Sequence, residues 1–273
     1  MKHLSLATGI VPCGDGSHAA HNIANHIYDL FSDEVSNILS ITTLVNSHEI
    51  FKEVVRELCN CVIPKSCETR FLSNWYIFKK LNKVKNQLKD AISISAFSDW
   101  VDTETKLDIK SQANKIKKII LDDKTWMFVD FFFQLGIPFI KFCRFFDKSA
   151  PGSLCFIYKF FSLISANIFS CISNPKFSEI TTFDTITRIN QVVSEAWNNY
   201  HFELYSAAFL LCPHMRMEFD NLNRTLEGKI ELDQIKQETL NTIRNMARRF
   251  DPHSMTARPI ILSNDDPIVN DII

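Results

Sequence analysis

Two long apolar segments in the middle of the chain constrain its fold more than any other feature. Residues 128–146 read FVDFFFQLGIPFIKFCRFF, and residues 155–172 read CFIYKFFSLISANIFSCI. Such segments must leave water, either in a protein core or in a bilayer. Asp130, Arg144 and Lys159 interrupt them, and a charge at bilayer depth costs a few kcal/mol. Neither segment reaches the roughly 20 cleanly apolar residues of a membrane span. The sequence therefore predicts buried helices and no membrane partner, with an integral membrane protein as the least favoured alternative.

Composition favours helices and limits the general class of partner. The chain has 273 residues with only 6 glycines and 9 prolines, which are few for a β-rich fold with many tight turns. Its formal net charge of −1 gives no overall attraction to nucleic acid, so such a partner would need a local basic patch. The 8 cysteines and the N-terminus without a secretory signal predict reduced thiols and a nuclear or cytoplasmic location.

Apolar periodicity predicts a mainly α fold, a helical bundle with few or no strands. The predicted helices cover residues 18–30, 33–58, 73–92, 103–121, 124–147, 152–173, 179–199, 202–211 and 231–250. Asp33 is the predicted N-cap of the second helix, whose inward face includes Leu58. Pro64 ends that region, which has room for one short strand. Residues 95–102 are predicted to be a loop, and the tail from 251 to 273 is predicted to be loose.

Two groups of metal-ligating residue types occur near the N-terminal third. Cys13, His18, His21 and His26 offer thiolate and imidazole, the ligands that zinc prefers, although their spacing does not match a standard zinc finger. Partly exposed histidines on a helix are the simpler interpretation. Cys59, Cys61 and Cys67 lack the spacing of a zinc knuckle and are interpreted as ordinary reduced cysteines. We therefore expect no metal and no cofactor.

Two lysine-rich helices are candidates for DNA contact. The first begins just after Arg70 and Phe71 and carries Lys79, Lys80 and Lys83. Arginine and lysine can pair with phosphates, and an aromatic ring can stack on an unpaired base. The alternatives are a solvated lysine face, with Phe71 as a core residue at the start of a helix. Residue chemistry alone favours those alternatives.

Four segments, taken in order, resemble the transposases of the hobo/Activator (hAT) superfamily. HAAHNIANHIYDLF is similar to the family's CAAHxLNLxxKDIF, and ETRF is similar to its TRW/TRF. Residues 126–161 are similar to a segment that ends in IYxxM, and WNNYHFELYSAAFLLCP is similar to WDxxLHxPLHAAGYFLNP. The matching positions are His18, His21, Asp29, Trp126, Pro138, Arg144, Asp147, Tyr158, Trp197 and Pro213.

This resemblance implies a domain organisation and the loss of catalytic activity. Residues 1–66 would be the helical part of a truncated ribonuclease-H-like core, residues 67–250 a helical insertion-type domain, and 251–273 a tail. The family cleaves DNA with three metal-binding acids, and the sequence offers no counterpart of them in the expected settings. His18 also replaces the family's cysteine. The resemblance therefore implies a protein that is not an enzyme.

The expected function is that of a truncated or domesticated transposase-like protein with residual DNA binding. Phe71 would occupy the position that holds a displaced base in active relatives, with Arg70 beside it on the phosphate side. The alternative is a helical protein–protein interaction module, whose partner could be a full-length transposase relative. Without the family's C-terminal dimerisation segment, we expect a monomer.

Overall fold

The computed structural model of the chain describes residues 16–65, 72–147, 154–215, 220–222 and 224–250. The described part contains helices and no strand, which confirms the mainly α prediction. Cys13, Cys67, Arg70, Phe71 and the tail from 251 to 273 lie outside it. The helices are α1 Gly16–Asp29, α2 Ser32–Ser47, α3 Glu49–Cys59, α4 Ser73–Ala91, α5 Ser95–Thr103, α6 Leu107–Leu121, α7 Asp123–Asp147, α8 Leu154–Ile172, α9 Phe183–Tyr200, α10 Glu203–Leu211 and α11 Leu226–Phe250.

The region predicted as one helix from 33 to 58 is two helices. His48 adopts an extended conformation (φ −125°, ψ 112°) and separates α2 from α3. Asp33 is not the N-cap, because α2 begins at Ser32; it lies in the first turn, where a carboxylate complements the helix dipole. The break also turns Leu58 outward, so that it is 43% exposed rather than buried. The spacing of apolar residues continues across His48, so the sequence pattern does not reveal the break.

Residues 95–102 were the second wrong assignment, because they form helix α5 instead of a loop. Phe97 and Val101 are one helical turn apart and both are buried, so tertiary packing stabilises a short helix with weak local signals. The described residues near Pro64 contain no strand, so the short strand is not observed there.

The chain divides into two compact units. The large unit contains Ser17–Arg144 and Ile164–Glu195, and the small unit contains Phe145–Leu163 together with the described residues from Ala196 onward. These boundaries fall at other positions than the domains inferred from the hAT resemblance, which remain predictions.

Aromatic packing around α7 forms the core of the large unit. Phe132 is fully buried, and its ring centroid lies 5.6 Å from that of Tyr28, 5.4 Å from Phe31 and 5.1 Å from Phe78. The pairs with Tyr28 and Phe31 are edge-to-face and the pair with Phe78 is tilted. Aromatic pairs add about 0.5–1.5 kcal/mol each beyond the area they bury. The first of the two apolar segments is thus a core helix, as predicted.

Two helices are long and apolar enough to cross a membrane by length and composition alone. They are Asp123–Phe146, whose apolar window is 67% buried inside the protein, and Leu154–Ile172, whose window is 44% buried. The second helix leaves Leu163 and Phe169 exposed by 52% and 68%. Burial therefore accounts for most of the first apolar segment and for less of the second.

Pro138 interrupts the backbone hydrogen bonds of α7, and a side chain compensates for it. Proline has no N–H, so the carbonyl of Gln134 loses its normal donor within the helix. The side-chain amide of Asn167 on α8 donates to the carbonyl oxygens of Gln134 and Leu135, at 3.3 and 3.4 Å. The polar Asn167 within an apolar helix is thereby explained as a structural partner of this proline.

Gly136 permits the closest approach between α7 and α4. A Cβ atom at this position would lie 2.0 Å from Cδ1 of Trp75. The Trp75 indole Nε1 donates to the carbonyl oxygen of Phe133 at 3.0 Å, which fixes the ring against the helix. The hydroxyl of Tyr28 is buried at the same place and has no hydrogen-bond partner among the described residues.

Gly136→Ala should destabilise the protein by about 1–3 kcal/mol, because overpacking against Trp75 outweighs the better helix propensity of alanine. Urea unfolding followed by circular dichroism measures this change. Asn86→Ala, at an exposed position of α4, is the control and should stay within about 0.5 kcal/mol of the parent. If Gly136→Ala were more stable than the parent, α4 and α7 would accommodate the added methyl group without losing stability.

Candidate nucleic-acid interface

A hydrogen bond connects α1 to the start of α4 in the large unit. His21 lies on α1, and Leu72 lies just before α4. The backbone N–H of Leu72 donates to Nδ1 of His21 at 3.3 Å, and Leu72 itself adopts a left-handed conformation with φ 53°. The structure thus joins the HAAHNIANHIYDLF segment to the residue that follows ETRF in sequence, whereas ETRF itself lies outside the described residues.

His21 is held as a neutral ring. Burial lowers its pKa, and the nearby His18 lowers the pKa further. The backbone N–H of Leu72 donates to Nδ1, and Nε2 lies 3.0 Å from the amide nitrogen Nδ2 of Asn25, so a protonated imidazolium would face a donor at each ring nitrogen. His21 therefore acts here as a fixed connection between two helices and not as a positive charge.

The same segments line one open groove. Its volume is about 680 Å³, and its lining includes His21 and Asp29 from α1, Ser73 and Asn74 from α4, and Gln112 from α6. The rest of the lining includes Ser32, Ser36, Ser40 and Thr43 of α2, and none of the described lining residues is a lysine or an arginine. Phosphate needs cationic partners. Among the described residues, a phosphate-binding surface therefore lies outside this groove.

Lysines on α4 provide such a surface. Lys79 and Lys83 are exposed and one turn apart, with Lys80 half-buried between them. The ammonium of Lys79 lies 5.3 Å from the centre of the Trp75 ring. None of the three forms an ion pair with a carboxylate of the described residues. Their charge is therefore available to an anionic partner.

A kink separates these lysines from the rest of α4. Val84 departs from helical geometry (φ −109°, ψ 17°). Beyond it, Lys85 and Lys89 approach Asp123 at 3.8 and 2.7 Å. The hydrogen bond and the charge of Lys89 are the main reasons why the pKa of Asp123 lies below its ordinary value. The cations beyond the kink are thus partly neutralised.

Arg144 extends the surface from a second helix. Its guanidinium Nε and Nη2 donate to the hydroxyl oxygen of Tyr76 at 3.3 and 3.2 Å, and the group also lies over the Tyr76 ring. Tyr76 precedes Lys79 and Lys80 by about one turn on α4. We call Lys79, Lys80, Lys83 and Arg144 the basic face. Sequence reasoning placed Arg144 among the family positions but not in a DNA-binding set, because only tertiary packing joins α7 to α4 here.

The lysines of the second lysine-rich helix, α6, are less clustered than those of the basic face. Lys110 approaches Asp102 at 3.7 Å, and Lys117 lies 5.9 Å from the centre of the Phe97 ring. Lys106, Lys115 and Lys118 remain exposed. They spread over the segment from Lys106 to Lys118, so the exposed lysines of this region are less densely clustered than the cations of the basic face.

The remaining family positions are mainly structural. Trp126 is buried and its Nε1 donates to the carbonyl oxygen of Ile120 at 2.7 Å. In the small unit, Tyr158 and Trp197 make an edge-to-face contact at 5.6 Å. Pro213 begins a short 3₁₀ turn after α10. The side chain of Asp147, at the end of α7, lies outside the described residues.

The metal alternative stays a prediction. His18, His21 and His26 all lie on α1, whereas Cys13 is outside the described residues. Within the described part of the chain, no group of three or more histidine, cysteine, aspartate or glutamate side chains could hold a metal ion. We derive no metal-dependent step.

A buried polar network lies beside Trp197 in the small unit. The ring of His201 stacks on Trp197 at 4.1 Å, and its Nε2 lies 3.0 Å from Oε2 of Glu238. The hydroxyl of Ser206 donates to the same carboxylate oxygen, and the amide of Gln234 donates to Oε1 at 3.0 Å. Because the serine and the histidine bond to one acid and not to each other, this is not the arrangement of an activated serine nucleophile.

Glu238 should make stability dependent on pH. Burial raises the pKa of this carboxyl, but hydrogen bonds from Ser206, Gln234 and His201 outweigh burial and leave the pKa below its ordinary value. A group with a lowered pKa in the folded state stabilises the protein above its unfolded pKa, near 4.3, and loses this effect as the pH falls through the folded pKa.

Glu238→Gln should therefore reduce the free energy of unfolding at pH 7, and the difference from the parent should shrink below about pH 4. Urea unfolding at a series of pH values measures it. Asp233→Asn, an exposed acid on the same helix, is the matched control and should show no such convergence. A constant difference down to pH 3 would contradict the role assigned to the ionised carboxylate.

No family model, curated protein or solved structure matches the chain. The likeness to hAT transposases consequently rests on the four sequence segments.

Proposed function

We propose that the protein is a catalytically inactive, hAT-transposase-like protein that binds DNA through the basic face. The observation that carries the proposal is the cluster of three lysines that have no carboxylate partner among the described residues, beside an arginine positioned by Tyr76. Clustered cations of this kind are what a nucleic-acid backbone requires, and the overall charge of −1 makes the cluster a local feature.

The number of cations in the basic face determines the expected affinity for DNA and its dependence on salt. Each phosphate neutralised by a lysine or arginine contributes about −0.9 to the slope of log K against log salt concentration on duplex DNA. Four cations predict a slope of roughly −3.6. This electrostatic binding carries no sequence information by itself, and its dissociation constants at physiological salt are typically about 10⁻⁴–10⁻⁶ M. We therefore expect weak, salt-sensitive binding with little sequence preference.

Replacing Lys79, Lys80 and Lys83 by glutamine should weaken duplex binding and reduce the magnitude of the salt slope by about 2.7. Fluorescence anisotropy between about 25 and 200 mM salt measures both quantities. The matched control replaces Lys106, Lys115 and Lys118, which removes the same charge from α6. Equal losses in the two variants would assign binding to overall charge and contradict the basic face as the site.

Arg70 and Phe71 lie outside the described residues, and their roles follow from the resemblance alone. Phe71→Ala should weaken binding to hairpin or flapped DNA by about 1–3 kcal/mol and leave duplex binding nearly unchanged, because the ring would stack on an unpaired base. Arg70→Ala should weaken binding to both kinds of DNA. The same anisotropy assay compares the substrates, and an equal effect of Phe71→Ala on duplex DNA would contradict base stacking.

A helical protein–protein interaction module is the second candidate, favoured by Phe169 on α8, which is 68% exposed in the large unit. Most of the preceding apolar segment is buried in the core, so the candidate surface is smaller than the sequence indicated. Sedimentation velocity, with and without a full-length transposase relative, tests this candidate. A protein that sediments as a monomer and does not bind such a relative would contradict the interaction-module candidate.

A further inference from the structure

Two cysteines that are distant in sequence meet in the small unit. Cys155 lies in the first turn of α8 and is buried in a cluster with Phe209 and Met215. Cys212 directly follows α10, is half-buried, and packs against the same cluster. Their side chains interact through a hydrogen bond, and neither sulfur belongs to a disulfide.

We propose that Cys155 and Cys212 form a reversible oxidation site, in which a hydroperoxide converts the two thiols into an intramolecular disulfide. This site is independent of the proposed DNA binding. It would connect the beginning of α8 covalently to the end of α10.

The partial exposure of Cys212 gives the order of the two steps. The thiolate of Cys212 attacks one peroxide oxygen, the O–O bond breaks, and hydroxide leaves, giving a sulfenic acid. The sulfur of Cys155 then attacks the sulfur of Cys212; the S–S bond forms, the S–O bond breaks, and the hydroxyl leaves as water with the proton of Cys155. In total the two thiols lose two electrons, and hydrogen peroxide is reduced to two waters.

The environment of Cys155 assigns it the second role. Burial, with the hydrogen bond and charge of Cys212, raises the pKa of Cys155 to about 12. Cys155 is therefore a protonated, shielded thiol that reacts with its neighbour more readily than with dissolved peroxide, because the thiolate is the reactive form and access is limited.

The other described cysteines do not offer an equivalent pair. Cys143 donates to the carbonyl oxygen of Ser17 at 3.7 Å, and Cys171 accepts a contact from Asn167 at 3.9 Å, both within the large unit. Cys59 and Cys61 do contact each other through their side chains. They are separated by a single residue, so a bond between them would restrain almost none of the unfolded chain.

A bond between Cys155 and Cys212 would close a long loop. Restricting the unfolded chain in this way typically stabilises a protein, and a longer loop gives a larger effect. We expect the oxidised protein to melt about 5–10 °C higher than the reduced protein, with reversal by dithiothreitol.

The test treats the complete chain with stoichiometric hydrogen peroxide, blocks remaining thiols with N-ethylmaleimide, and maps cross-linked peptides by mass spectrometry. We expect a peptide pair that joins Cys155 to Cys212 and a mass loss of about 2 Da, accompanied by the rise in melting temperature. Cys212→Ser should abolish both changes, whereas Cys59→Ser should retain them.

Recovery of Cys155 and Cys212 as separately blocked thiols, or their cross-linking to Cys13 or Cys67 instead, would overturn the proposal. A cross-link between 155 and 212 without any rise in melting temperature would retain the oxidation site but overturn its stabilising effect. If Cys212→Ser fails to fold, the peptide map of the parent protein alone decides between these outcomes.

Discussion

The rings around Phe132 are the contact on which the large unit depends. Phe132 is surrounded by Tyr28, Phe31 and Phe78, which come from α1, the turn after it, and α4. Phe78 and Phe132 lie far from α1 in sequence, so one buried ring connects α1 and the turn after it to both α4 and α7. Removing such rings from water supplies much of the favourable free energy, and their edge-to-face geometry fixes the relative positions of the helices. Because the basic face consists of residues on α4 and α7, this packing also determines where its side chains lie.

Polar groups within the apolar helices form hydrogen bonds or ion pairs with other residues. The buried carboxylate of Asp130 accepts from Asn82 at 3.2 Å and pairs with Lys176, and Asn167 satisfies carbonyls near Pro138. A buried charge or carbonyl without a partner costs several times the free energy that one hydrogen bond contributes. Asp130, one of the residues that made a membrane span unfavourable, is thus accommodated in the helical core by polar partners.

The sequence predicted the long helices well because their apolar periodicity is strong. Ile77, Leu81, Val84 and Leu88 recur at helical spacing along α4, and all four are buried. It missed the break at His48 because apolar spacing continued across it, and it missed α5 because tertiary contacts of Phe97 stabilise that helix. For the candidate site, sequence identified the lysines of α4 but not Arg144, since the Tyr76 contact depends on packing between distant helices.

Charge distribution gives a physical reason why four cations could matter in a chain of net charge −1. Lys52 and Arg56 pair with acids on their own helix, and Lys85 and Lys89 are directed at Asp123. These pairs cancel locally at distances shorter than the Debye length of about 8 Å at physiological salt. The lysines before the kink at Val84 have no carboxylate partner in the described part of the chain, and Tyr76 holds Arg144 beside them. Screening removes the influence of remote acids, so an anion close to this surface experiences the positive charges of the basic face and not the net charge of the protein.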